Sequence, residues 1–161
     1  MILSGLSPSS RIWIFQADRV LQDEEEQDLN GRLKDFVAGW KAHGIELMAD
    51  AEILHSSIVV VGVDESKEPP SGCSIDKVFT LLKSWGASSG VDFFNRLLLN
   101  ISYCNSAKIL SKEQIQSSIE SKELSAETLV FNSLATSLLE LRNRTYLGLS
   151  ESWMAPKLIF T

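Results

Sequence analysis

The chain is poor in the residues that catalysis and metal binding most often use. Its 161 residues include two cysteines and two histidines. Cys73 and Cys104 lie 31 positions apart, which fits reduced thiols of a cytoplasmic protein better than a disulfide framework. Basic residues are also scarce, 15 against 21 acidic, for a net charge of -6. No Lys/Arg-dense stripe appears, so neither a nucleic-acid backbone nor an anionic membrane surface is an expected partner. No apolar run approaches the roughly 18 residues of a membrane span. The opening MILSGLSPSS lacks a positive leader and is too short for a signal peptide, so it reads as a loose lead-in.

What is present is a globular pattern, with 44% apolar residues and enough length for one sizeable core. RIWIFQA (11–17) is rich in β-branched and aromatic residues and predicts a strand. Asp23 with Glu26 resembles a capping box, and Leu29, Leu33, Phe36, Val37 and Trp40 then recur at helical spacing. Gly44 is expected to stop that helix, with Lys41 and His43 near its negative end. From Ile45 to Ile53 the period becomes two, and IVVVGV (58–63) follows a His55-Ser56-Ser57 turn. These two runs predict an antiparallel hairpin.

A second helix is expected after the polar loop 64–72, with Ile75, Val78, Phe79, Leu82 and Trp85 inward and GASSG (86–90) as its stop. RLLLNISY (96–103) reads as another strand. The order strand, helix, strand, strand, helix, strand predicts an α+β fold, a ferredoxin-like antiparallel sheet with two covering helices. Residues 11–104 would form this sandwich and 105–161 a small helical and β extension. In the extension, Ser111 with Gln114 caps a short helix bearing Ile115 and Ile119, TLVFN (128–132) is β-rich, and Leu134, Leu138 and Leu141 suggest a last helix.

The segments IWIFQADRVL, SGCSIDK, LVFNSL and ESW resemble a family of small uncharacterised bacterial proteins often labelled "ABC transporter ATPase". The likeness runs from about Arg11 to Trp153 and implies a shared fold. The ATPase label conflicts with the chemistry. Such an enzyme needs a glycine-rich loop ending in Gly-Lys-Ser/Thr, and none of the nine glycines here precedes a lysine. Residues 107–155 are also similar to GYF-like interaction modules, through Glu127-Thr128-Leu129-Val130 and Trp153-Met154-Ala155-Pro156. Lys122-Glu123 stands where a glycine is usual, and an apolar insertion precedes the tryptophan. Modules of that kind bind peptides or partner proteins, so the resemblance implies an interaction role.

The most chemically suggestive stretch is PPSGCSIDK (69–77). A helix start carries unpaired N–H groups and partial positive charge, which favour a thiolate or a bound anion. On that reading Cys73 is a candidate nucleophile or redox thiol, and Ser71, Gly72, Cys73, Ser74, Asp76 and Lys77 form a candidate anion pocket. The plainer reading has Ser71, Cys73 or Ser74 capping the helix, Asp76 completing the box, and the thiol packed inward. A thiol nucleophile also wants a histidine base beside it, and His43 and His55 already have local explanations as helix-end and turn residues. Asp50, Glu52, His55, Asp64 and Glu65 could gather as oxygen ligands, but alternating polar residues on a wet sheet face need no metal. No cofactor is expected.

Trp40 and Trp85 fall on apolar helix faces and belong in a core. Trp13 with Phe15 would make an exposed aromatic patch if their sheet face is uncovered, and Trp153 joins them as an interaction candidate. A C-terminal segment folded across that face would remove the argument. The sequence thus points to a non-catalytic, cytoplasmic interaction or regulatory module with a protein partner or self-association. A Cys73-dependent enzyme, redox protein or small-anion binder is the competing reading.

Overall fold

A computed structural model of the chain describes residues 1–103 and 106–161. In chain order the elements are β1 (Arg11–Gln16), α1 (Asp23–Ala38), β2 (Lys41–Ala42), β3 (Ile45–Glu46), β4 (Met48–Leu54), β5 (Ile58–Asp64), α2 (Gly72–Ser89) and β6 (Leu98–Tyr103). They continue with β7 (Ser106–Ser111), α3 (Lys112–Glu120), β8 (Leu129–Phe131), α4 (Leu138–Asn143) and β9 (Tyr146–Gly148), and 3-10 turns at Leu149–Glu151 and Ala155–Lys157. Cys104, with the domain boundary expected after it, lies outside the described residues.

The expected hairpin forms: β4 and β5 pair antiparallel from Met48↔Asp64 to Leu54↔Ile58. His55 and Ser56 both take positive φ at its turn, 51° and 50°, the handedness that matches strand twist. β1 pairs with the other side of β5, so the first sheet has the order β1-β5-β4. The ferredoxin-like expectation would add the 96–103 run to this sheet. Instead β6 pairs with β7 and β8 in a separate sheet of order β7-β6-β8-β9. The fold is therefore mixed α+β with small antiparallel sheets.

Every residue of β5 is buried, because both faces of the first sheet are covered. Val59, Val61 and Val63 face a core shared with Leu29, Leu33 and Val37 of α1 and Val78, Leu82 and Trp85 of α2. Ile58 and Val60 face a second core with Leu3, Leu6, Ile12, Phe131, Leu138 and Leu141. The two helices run antiparallel, and polar groups at both ends tie them together. The Trp40 indole donates to the Ser74 carbonyl at 2.9 Å and the Trp85 indole to Asp28 at 2.7 Å. Arg19 donates to both carboxylate oxygens of Glu25 at 2.8 Å and to the Ser89 carbonyl at 2.9 Å.

Several local expectations shift. α1 ends at Ala38, and Lys41 to Glu46 form the two-residue hairpin β2–β3 rather than a helix end, with His43 and Gly44 at positive φ in its turn. Its start is capped at Gln22, whose N–H is taken by Glu25 at 2.9 Å, one residue before the expected Asp23–Glu26 pair. α2 continues through Gly86 to Ser89, and Gly90 at φ 70° terminates it. The N-terminal segment is not a loose lead-in. Leu3 and Leu6 are buried, and Arg142 donates to the carbonyls of Ile2, Leu3 and Leu6. A side chain on Gly62 would meet the Leu3 and Leu6 methyls at 2.8 Å, so the bare strand makes the seat for this segment.

The third core gathers Leu99 and Ile101 of β6, Ile115 and Ile119 of α3, Val130 of β8 and the C-terminal Leu149, Met154 and Leu158. The other face of β6 turns toward the first sheet, where buried Asn100 donates to Ser57 at 2.9 Å.

Two glycines in helices should respond to alanine with opposite sign. A Cβ on Gly86 would lie 2.3 Å from the Val91 carbonyl oxygen, whereas one on Gly31 meets nothing within 4 Å. In urea unfolding, Gly86→Ala should lose about 1–3 kcal/mol through overpacking, and Gly31→Ala should gain up to about 1 kcal/mol. The Arg19 and Gln22 hydrogen bonds hold the Glu25 carboxyl down to about 2 from its ordinary 4.5. Because the folded value lies below the unfolded one, the stability from this contact is present above the ordinary value and lost as pH falls from 4.5 toward about 2. The stability gap between the native chain and Glu25→Gln, followed by thermal unfolding, should narrow across that window.

Candidate functional site

The helix start that drew attention in the sequence is built as a cap. Ser71 is the N-cap of α2, accepting from the Ser74 N–H at 3.1 Å, while the Ser74 hydroxyl accepts from the Ser71 N–H at 2.7 Å. Ser74, not Asp76, closes the box. The inward stripe of α2 runs through Ser74, Val78, Leu82 and Trp85, which are buried. Gly72, Cys73, Asp76 and Lys77 fall off that stripe and are exposed. The thiol is therefore exposed rather than packed inward. Of the two histidines, His55 is bonded through Nε2 to the Tyr146 hydroxyl, and His43 sits in the β2–β3 turn.

The acidic residues that could have gathered around a metal are each engaged separately. Asp50 takes Lys34 at 2.6 Å, Glu52 accepts the Leu3 N–H at 2.8 Å, Asp64 accepts the Ser66 N–H at 2.9 Å, and Glu65 faces Arg11 at 3.8 Å. The Ser66 bonds hold Asp64 below the usual carboxylate range. Among the described residues, no group of three or more His, Cys, Asp or Glu side chains is placed to hold an ion.

The three interaction candidates do come together. Trp13, Phe15 and Trp153 line one open groove of about 480 Å3, with Phe79 of α2, Phe94, Asn95 and Arg96 of the α2–β6 connection, Leu98 at the start of β6, and Ser133 and Leu134. The groove lies along β1, between the first sheet and the segment leading into the second. Its floor is aromatic: Phe15 sits edge-on to Phe79 at 5.2 Å and to Phe94 at 6.2 Å, and Phe79 stacks on Phe94 at 5.7 Å. Such offset and edge-on contacts fix the rings in place.

The route to this groove differs from the one expected. Trp13 and Phe15 point to the helix-covered face of the sheet, and Phe15 is 6% exposed. The C-terminal segment covers the opposite face, over Ile12 and Ile14. The aromatic surface is thus a cleft at the edge of the sheet rather than an open sheet face. Trp153 reaches it from the far end of the chain, packed partly on the third core. Leu134 stands in its lining, 65% exposed, and Trp153 also lines an adjoining hollow with Leu97, 68% exposed, Glu113 and Lys157. Leu134, expected on a helix, precedes α4 and points outward.

The lining of the groove carries a cation and no carboxylate, whereas acids stand beyond it: Glu65 beside Arg11, Asp92 on the Phe94 N–H, and Glu113 in the hollow next to Trp153. Arg96 is the charged residue in its lining. Arg11 lies 4.7 Å over Trp13, Lys83 5.7 Å over Phe94 and Lys157 6.0 Å over Trp153. The sequence signalled Trp13, Phe15 and Trp153, but not Phe79, which reads as core, nor Phe94, Arg96 and Leu134. These belong to connecting segments whose course no periodicity reveals.

No family model matches the chain, and neither a curated protein nor a solved structure matches it.

Proposed function

We propose that this chain is a non-catalytic interaction module of the cytoplasm, and that the groove along β1 receives a segment of a partner protein. The observation that carries the reading is the convergence of Trp13, Phe15 and Trp153, far apart in sequence, on one open aromatic cleft. Buried aromatic anchors bordered by exposed apolar residues are the usual composition of an energetic centre in a protein interface. Leu134 in the groove and Leu97 in the adjoining hollow supply that exposed apolar border. The resemblance of residues 107–155 to GYF-like modules supports a binding role, since α3, β8 and Trp153 follow one another in the order of that pattern. No helix among the described residues is long and apolar enough to cross a membrane.

A photo-crosslinking amino acid placed at Leu134, at the groove margin, should yield a covalent adduct with a specific protein in the source cells. The same group at Glu24, exposed on α1, should not. Absence of an adduct at position 134, or equal labelling from both positions, would contradict the proposal.

A further inference from the structure

We infer that the groove binds its partner as an added β-strand along the free edge of β1, and that this strand carries acidic residues alternating with apolar ones. The inference rests on the reading of the groove as a protein-binding site and specifies how it is filled.

β1 is an edge strand. In an antiparallel pair, residues alternate between those that exchange hydrogen bonds with the neighbour and those that direct N–H and C=O away from it. The phase is fixed at both ends of β1. The Ile12 N–H donates outward to Thr136 at 3.1 Å, and the Ala17 N–H donates inward to Ser57 at 2.7 Å. Trp13 and Phe15 therefore bond to β5, opposite Val61 and Val59, and Ile14 and Gln16 direct their backbone groups outward. Near Ile12 the outer edge is closed by residues 136–138, through the Thr136 bond, the Leu138 N–H to Ser10 carbonyl bond at 2.9 Å, and the Arg11↔Ser137 bridge. From Ile14 to Gln16 no segment among the described residues pairs with that edge. The groove occupies that place, and Trp13, Ile14, Phe15 and Gln16 all line it. The N–H and C=O groups of Ile14 and Gln16 are left without a partner among the described residues.

An unpaired edge is a template for another strand, and added strands gain affinity from backbone bonds and specificity from alternate side chains. A strand beside β1 at the normal spacing of about 4.8 Å would run through the groove. Alternate side chains would fall on the Trp13 and Phe15 side and on the Ile14 and Gln16 side. The charge sign selects the peptide. Although the chain is acidic overall, the groove is lined by Arg96 and no carboxylate, and Lys83 stands over its Phe94 ring; Arg11 over Trp13 is paired with Glu65, and Lys157 over Trp153 shares its hollow with Glu113, so Arg96 carries the selection. A second copy of the chain is a poor occupant. A symmetric contact would set one recessed edge against another, and two concave surfaces do not fill each other.

The test uses a display library of random linear decapeptides selected against the full chain, followed by synthesis of an enriched peptide with single N-methyl groups along its backbone. Enriched sequences should alternate apolar with Asp or Glu, and Arg96→Glu, an exposed change, should weaken binding about tenfold or more. N-methylation at alternate positions should weaken it by about tenfold, the scale of one lost hydrogen bond, and at the intervening positions by less than about twofold. Peptides that bind the groove with helical spacing, with basic character, or with uniform tolerance of N-methylation would overturn the added strand and leave the groove a partner site. Failure to enrich any peptide overturns the inference; joined to a missing adduct at position 134, it overturns the proposed function as well.

Discussion

The burial of β5 on both faces is the constraint on which the molecule turns. A strand of the sequence IVVVGVD has no solvent side, so two separate layers must cover it. Helices α1 and α2 supply one layer, and the N-terminal segment with α4 and part of β8 supplies the other. The covering of the second face draws the N-terminal segment onto α4, and Arg142 fixes that arrangement by donating to three carbonyls of residues 2–6. Central hydrophobic burial here contributes on the usual scale of about 25 cal/mol per Å2.

The groove follows from the same arrangement. With β4 on one side of β5 and β1 on the other, β1 is left at an edge, and the second sheet meets the first beside it. The buried Asn100–Ser57 bond and the His55–Tyr146 bond join the two sheets. Among the described residues neither sheet supplies a strand to the Ile14–Gln16 edge, so the junction stays open where Phe15, Phe79 and Phe94 form a fixed aromatic floor. An edge recessed between side chains is also protected from indiscriminate pairing, a hazard that flat exposed edges carry.

Much of the local structure is legible in the sequence, because local physics determines it. The β4–β5 hairpin follows from a period of two running into a continuous β-branched run, and the inward faces of α1 and α2 follow from helical spacing. What the sequence hides is long-range. RLLLNISY reads as a strand, but nothing in its pattern says that it pairs with 106–111 and 129–131 rather than with β1. MILSGLSPSS looks loose because its partner is an absence, the missing side chain of Gly62. The aromatic candidates Trp13, Phe15 and Trp153 were readable one by one, while the cleft that unites them depends on connections without periodicity. PPSGCSIDK, the most distinctive stretch, proves to be a well-made cap whose exposed thiol lies off the buried stripe.

The central claim, that β1 presents a free backbone edge to the groove, is tested most directly by native-state amide hydrogen exchange resolved by residue in the isolated chain. The account predicts protection at Trp13, Phe15 and Ala17, whose amides bond within the first sheet, and exchange at Ile14 and Gln16 faster by about tenfold or more. Equal protection along β1 from Trp13 to Ala17 would contradict it.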